Sequence, residues 1–282
     1  MRTDWKSAVR STYDAQANEY SRRHGMQAAN LAHLTERILA QHPILGRVLD
    51  IGAGSGAALS DFVEYDDQPH VLVCTDISRE TLLARTHSGS FDELLVQGDA
   101  EALPFARGSF DLVYANSVLH WLRVESGLDG FQNALREVVR VTRPDGIIGA
   151  SIAGTGTASR FLKAYRAVLS RLAQAGRLAS DMPDDPIGAM DLNVVVDAVT
   201  AGGGQILEAE LVYEPVVYNL ASDYVLDAAA YGYETFLGPI APEQRGEVWQ
   251  QIADIFTSDV GSGPYSHDQY MIYVIARPVV RS

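Results

Sequence analysis

The stretch Val48-Leu-Asp-Ile-Gly-Ala-Gly-Ser-Gly56 is where residue types and spacing first imply chemistry. A short apolar run carries an acid, Asp50, turns through Gly52, Gly54 and Gly56, and opens into a helical pattern near Ser55. Glycines there let the backbone take positive φ and approach a ligand with no Cβ in the way. A helix starting at that point offers unpaired N–H groups to a polar ligand. Gly52, Gly54 and Ala57 also satisfy the dinucleotide spacing, and Asp76 follows where a ribose-binding acid belongs. Two features separate the readings. Asp50 stands where a dinucleotide site normally has an apolar residue, and a buried charge is costly unless paired. A ligand with an ammonium group, or a network of waters and N–H donors, accounts for it. The second feature is Gly98-Asp-Ala-Glu-Ala-Leu-Pro-Phe105, followed by Gly108-Ser-Phe-Asp-Leu-Val-Tyr-Ala-Asn116.

The elements that must position these residues follow from periodicity. Strands are expected at Arg47–Ile51, Val71–Thr75, near Leu94–Gln97, at Phe110–Ala115 and at Ile147–Ile152. Helices are expected at Trp5–Asn18, on the stripe Leu31, Leu34, Ile38 and Leu39, and from Ser55 to Tyr65. Another follows Ser78 as N-cap, and one more lies on Leu128, Phe131, Leu135, Val138 and Thr142. Pro144-Asp-Gly146 makes the turn into the fifth strand. This alternation predicts an α/β fold whose mostly parallel sheet is covered on both faces, with the ligand at the carboxyl ends of the strands. Asp50, Asp76, Asp99 and Asn116 all fall at such ends. Farther on, Phe161, Tyr165, Val168 and Leu172 mark a helix, 181–186 a loop, and Gly202-Gly-Gly204 a break before a strand at Gln205–Tyr213. The last strand is expected at Gln269–Ala276.

Composition narrows the function. The chain has 282 residues with 47% hydrophobic content, enough for a full core. It has no apolar run long enough to span a membrane, and it opens without the apolar region of a secretory signal. The single cysteine, Cys74, sits within a strand and reads as a small core hydrophobe. A cytoplasmic protein is expected. A formal charge of −14 repels phosphate backbones and disfavours a nucleic-acid substrate. Arginine far outnumbers lysine, whose only positions are Lys6 and Lys163, a bias associated with bacterial genomes of high GC content.

Four ordered motifs carry a resemblance: the glycine loop, Thr75-Asp-Ile-Ser78, Gly98-Asp-Ala100 with Leu103-Pro-Phe105, and Arg140-Val-Thr-Arg-Pro-Asp-Gly146. From about Arg47 to Ala153 the chain resembles the class I S-adenosylmethionine-dependent methyltransferases, in particular their small-molecule, type 11-like branch. The resemblance implies a Rossmann-like sheet whose last strand runs antiparallel. It also implies N-terminal helices over 1–46, a cofactor-binding core over 47–214 and 268–282, and a partly helical insertion over 215–267. In that fold the last two strands form a closing antiparallel pair; here the aromatic-rich insertion separates them and reads as a lid over the acceptor. S-adenosylmethionine is the implied cofactor. Asp76 would bind the ribose hydroxyls. Asp99 and the Ala100 N–H would take the adenine amino edge, and Ile77 its face. Gly52, Ala53 and Gly54, with Asp50, would approach the methionine part, and Asn116 or Ser117 would touch the cofactor through backbone carbonyls. Tyr13 and Tyr20, and Arg23 after them, are candidates to cap its amino-acid end. His120, in Asn116-Ser-Val-Leu-His-Trp121, is either a general base or a residue that orders its loop; His267 could reach the site from the lid. No metal is implied.

The function expected is methyl transfer to a small organic acceptor in bacterial specialised metabolism, by a monomer or homodimer. The Asn116–Trp121 element is also similar to carboxyl methyltransferases that esterify carrier-protein or small acid substrates. Alternatives are a methyltransferase fold recruited for chemistry such as cyclisation, or a cofactor-binding scaffold, because fold does not fix function.

Overall fold

The central strands are short and apolar on both faces. In β1 (Arg47–Ile51) Val48, Leu49 and Ile51 are all buried, the pattern of a parallel strand covered on two sides. A computed structural model describes residues 4–20, 22, 25–41, 46–55, 71–85, 93–178, 187–230, 232–238 and 240–279, without the side chains of Glu19 and Tyr20. The helix expected at Ser55–Tyr65, and with it Gly56 and Ala57, lies outside the described residues, as does Arg23.

Seven strands form one sheet. In spatial order they are β3 (Glu93–Gln97), β2 (Val71–Asp76), β1, β4 (Phe110–Asn116), β5 (Thr142–Ala153), β9 (Tyr270–Pro278) and β6 (Gly204–Tyr213). The pairs from β3 through β5 are parallel, and β9 runs antiparallel between β5 and β6. The chain moves outward from β1 in one direction and returns to β4 on the other side. The crevice outside the carboxyl ends of β1 and β4 is therefore a topological switch point.

Each face of the sheet has its own helical cover. On one face Leu31, Leu34 and Ile38 of α2 (Gly25–Gln41) pack over Val48, Leu72 and Tyr114. On the other, Phe131, Leu135 and Val138 of α4 (Leu119–Val141) and Val195 and Val199 of α6 (Leu192–Ala201) cover Leu49, Val113 and Ile272. Gly127, at φ 71, divides α4 into two helices. The short α3 (Arg79–Leu83) starts at Ser78, whose Oγ accepts from Thr81 N at 3.1 Å, a side-chain cap at the expected residue. Periodicity gave no sign of α6. Its Val194-Val-Val196 run has modest helix propensity, and burial of Val195, Ala198 and Val199 holds the helix instead. β5 is longer than expected: it takes in Pro144-Asp-Gly146, with a register shift against β4 between Phe110 and Leu112.

A second core lies off the sheet. It joins α5 (Ser159–Gln174), α7 (Ala221–Ala230), a 3-10 turn at Tyr233–Leu237 and α8 (Pro242–Val260) around Phe161, Tyr165, Tyr224, Phe236 and Phe256. The sequence assigns α5 to the sheet domain, but its apolar stripe turns to the 215–267 segment. That segment begins and ends in a small antiparallel pair, β7 (Val216–Tyr218) with β8 (Tyr265–His267). α1 (Trp5–Tyr20) bridges the two cores: Trp5 meets Phe236, with ring centroids 5.1 Å apart. No helix among the described residues is long and apolar enough to cross a membrane.

Candidate functional site

At the end of β1 the backbone turns sharply. Gly52 has φ 66 and Gly54 φ 55, and a Cβ built on Gly52 would stand 2.3 Å from Val118 Cγ2. Only glycine serves there. The N–H groups of Gly52 and Ala53 both donate to the Thr75 carbonyl, at 2.8 and 3.0 Å. Gly54 N–H donates to Asp76 Oδ2 at 3.0 Å, and Ser78 N–H donates to Asp76 Oδ1 at 2.8 Å. One carboxylate thus ties the loop after β1 to the loop after β2. Burial raises its pKa, and the N–H donors of Ser78, Gly54 and Ile77 oppose the shift.

A cleft opens beside this clamp. Gly52, Asp76, Ile77, Asp99 and Ala100 all line it, so five of the expected cofactor residues converge. Two further side chains that the sequence reading had not singled out stand at it. Lys6, on α1, places Nζ 2.8 Å from Asp99 Oδ2 and 2.6 Å from Glu101 Oε1. Glu125, on α4, lines the cleft, and burial pushes its carboxyl up to about 8, with Lys6 opposing the shift and Asp99, Glu101 and Asp76 adding to it. Carboxyl groups outnumber cations here, an electrostatic setting for a ligand bearing positive charge. Neither residue belongs to a motif; the only sequence signal for Lys6 is its rarity.

The other expected cofactor residues are placed differently. Asp50 points to the α2 face of the sheet, 4.0 Å from Arg85 Nη2 and hydrogen-bonded to Tyr114. Burial lifts its pKa to about 7 against the pull of Arg85. Its counter-charge is therefore internal, and the burial that suggested an ammonium ligand is answered by the chain's own guanidinium. Ala53 is buried, and its carbonyl accepts from Arg85 Nη1 at 2.9 Å. The Asn116 side chain is engaged elsewhere: its amide donates to the Gln27 carbonyl at 2.9 Å and its Oδ1 accepts from Ser151 Oγ at 2.7 Å. Ser117 takes φ 55 and faces a second cavity. Tyr20 ends α1, and its side chain is outside the described residues.

The second cavity collects both candidate histidines. His120 comes from the first turn of α4, and His267 comes from β8, where it pairs with Val216. Tyr13 of α1, Tyr224 of α7 and Tyr233 also line it. The 215–267 segment therefore forms part of the wall, through Tyr224, Tyr233 and His267. His267 stacks on Tyr224 with centroids 4.4 Å apart. Burial lowers both histidines to about 4, so both are neutral near pH 7. His120 Nδ1 accepts a long bond from Ala153 N–H at 3.5 Å, which assigns the proton to Nε2. Sequence reasoning missed Asn30 and Gln269, which form a buried amide pair: Gln269 Nε2 donates to Asn30 Oδ1 at 2.5 Å, and Asn30 Nδ2 to Ser117 Oγ at 3.0 Å. Trp121 lines both spaces. A cleft for a charged ligand and an aromatic cavity with two neutral imidazoles thus share one wall, an arrangement suited to passing a group between two bound molecules.

Comparison with known proteins gives three findings. Residues 49–150 match the family described as methyltransferase domain. The chain is 30% identical over 172 residues to a malonyl-acyl-carrier-protein O-methyltransferase of Geobacter sulfurreducens, covering 60% of this chain and 61% of that one. It is 28% identical over 163 residues to the enzyme of the same name from Enterobacter lignolyticus, covering 58% and 60%. The similarity thus spans about three fifths of the length of these relatives. Among solved structures, a loganic acid methyltransferase with SAH matches with a TM-score of 0.60 at 13% identity, covering 100% of this chain and 98% of that one. The 4+2 cyclase SpnF matches at 0.53 and 19% identity, covering 89% and 82%. A methyltransferase and a cyclase share the fold, so the fold alone does not choose the reaction.

Proposed function

We propose that the protein, whose residues 49–150 match the family described as methyltransferase domain, moves a methyl group from S-adenosylmethionine to a small organic acceptor held in the aromatic cavity. The single observation that carries this reading is the wall that Trp121 gives to both the acid-rich cleft and the cavity. The cleft fits the cofactor by its chemistry: Asp76 and Asp99 offer carboxylate oxygens to hydroxyl and amino donors, and excess negative charge suits a ligand with sulfonium and ammonium groups. When bound, the cofactor supplies a methyl group already activated on sulfur.

The chain's own residues hold, orient and keep out water. Asp76 would receive the ribose hydroxyls while keeping the two loops clamped through Gly54 and Ser78. Asp99 and Ala100 would take the adenine edge, with Lys6 fixing the Asp99 carboxylate. The 215–267 segment acts as a lid whose tyrosines exclude water from the acceptor. Where the acceptor is a hydroxyl, its proton must leave as the new oxygen–carbon bond forms. His267 Nδ1, buried with no hydrogen-bond partner, is the atom assigned to receive it. His120, with its proton on Nε2, is assigned a positioning role. An acceptor from bacterial specialised metabolism suits the aromatic wall. The relatives named for a malonyl carrier-protein substrate suggest a second acceptor class, one carrying a free carboxylate.

Incubation with methyl-labelled S-adenosylmethionine and a panel of hydroxyl, amine and carboxylate acceptors, malonyl carrier protein included, tests the reading. Labelled product formed one-for-one with demethylated cofactor is expected. Cofactor binding with no label passed to any member of a broad panel would favour recruited chemistry or a scaffold.

A further inference from the structure

The cavity containing the two histidines has no lysine or arginine among the described residues that line it. Its imidazoles bring no charge near neutral pH, because burial holds both at about 4. The polar atoms left without a partner at this wall are Gln27 Oε1, Gln269 Oε1 and His267 Nδ1. Two of these belong to side chains that are almost wholly enclosed: His267 is 1% exposed and Gln269 2%. The neighbouring amide donors are already engaged, Gln269 Nε2 by Asn30 and Asn30 Nδ2 by Ser117. The residues of this wall therefore hold two amide oxygens and an imidazole nitrogen with no partner of their own, among largely aromatic and apolar side chains.

A carboxylate entering such a space would give up its hydration and find no lysine or arginine on the described wall to offset that loss. A hydroxyl or phenol carries no charge and brings the donor that a buried acceptor lacks. Lys6, the lysine of the neighbouring cleft, is held there between Asp99 and Glu101.

We propose that this cavity selects an uncharged acceptor bearing a hydroxyl or phenol group and excludes a free carboxylate. The word acceptor rests on the methyl-transfer reading; the selection itself is a property of the cavity. It would separate this chain from any enzyme whose acceptor is the carboxylate of a malonyl thioester.

The test uses matched probes on the full chain. Binding of naphthol, of naphthoate with the same ring position, and of a malonyl thioester of N-acetylcysteamine is measured by calorimetry at about pH 7.5, where the phenol is neutral and both carboxylates are charged. Naphthol is expected to bind at least about tenfold more tightly than either carboxylate. Gln27→Arg adds a cation at the wall on a partly exposed helix position, and should move the preference toward naphthoate by about tenfold or more. Equal or tighter binding of a carboxylate by the wild-type chain, no detectable naphthol binding, or an unmoved preference in the folded Gln27→Arg variant would overturn the proposal. A parallel titration with S-adenosylmethionine keeps the two readings apart. Naphthol selectivity without cofactor binding overturns methyl transfer and leaves the selection standing; cofactor binding without naphthol selectivity does the reverse.

Discussion

Two binding spaces meet at Trp121, and they are built by opposite means. The cleft is assembled from the ends of β1 and β2, the loop after β3 and the first part of α4. Its character comes from carboxyl groups held by backbone N–H donors and one lysine. The cavity draws on α1, α2, α4, α7, β8 and β9, and its character comes from aromatic rings, amides and neutral imidazoles. One space is set by local turns in sequence, the other by long-range packing. The lesson is that a ligand common to many proteins can be recognised by contiguous turns. A ligand particular to one protein is recognised by whatever surfaces the tertiary fold brings together.

Substitutions can break this contrast. Asp76→Ala removes a charged acceptor and the clamp between two loops, and should weaken S-adenosylmethionine binding by about 1.5–3 kcal/mol. Naphthol binding should be unchanged; calorimetry on both ligands checks this, and wild-type cofactor affinity would sink the ribose assignment. Gly52→Ala should destabilise the chain by about 1–3 kcal/mol, since its φ of 66 and the Val118 side chain both oppose a Cβ. Urea unfolding reads the loss, and an unchanged midpoint would contradict it.

His267→Phe sharpens the other side. The imidazole falls from 6.5 to about 4 on folding. The unfolded chain therefore takes up more protons between those values, and folded stability is lost as pH drops through that window. Asp50 and Glu125, pushed up to about 7 and about 8, act in the opposite sense and lose stability as pH rises, so only the difference between wild type and variant isolates His267. That difference should favour the variant by about 2–3 kcal/mol more at pH 4 than at pH 6.5. Parallel stability curves would show that the imidazole is not held neutral by burial.

The smallest effect is expected at Glu125. As pH rises through about 8 the wild-type cleft gains a negative charge and should bind the cationic cofactor up to severalfold more tightly. Glu125→Gln should flatten that rise, and a rise that persists would assign it to another group.

How much of this could be read from the chain follows the same division. Gly52, Gly54, Asp76, Ile77, Asp99 and Ala100 sit next to strand ends that announce themselves by apolar runs, and spacing together with the family resemblance pointed to the five that line one cleft. Asp50 was legible as a buried acid, but its partner Arg85 lies in the loop after α3, and pairing between a strand and a loop leaves no periodic trace. His120 and His267 were singled out separately; that they share a cavity depends on β8 returning beside β7, which hydrophobic patterning does not encode. Lys6, Asn30, Glu125 and Gln269 have ordinary helix or strand surroundings in sequence, and only the packing of α1, α2 and α4 against the strand ends gives them a role.

Calorimetric titration of the wild-type chain with S-adenosylmethionine, with nicotinamide dinucleotides as controls, tests the central claim most directly. Binding of the sulfonium cofactor in the micromolar range, with none of the dinucleotides, is the predicted result. Dinucleotide binding, or no binding of S-adenosylmethionine with or without naphthol present, would contradict it.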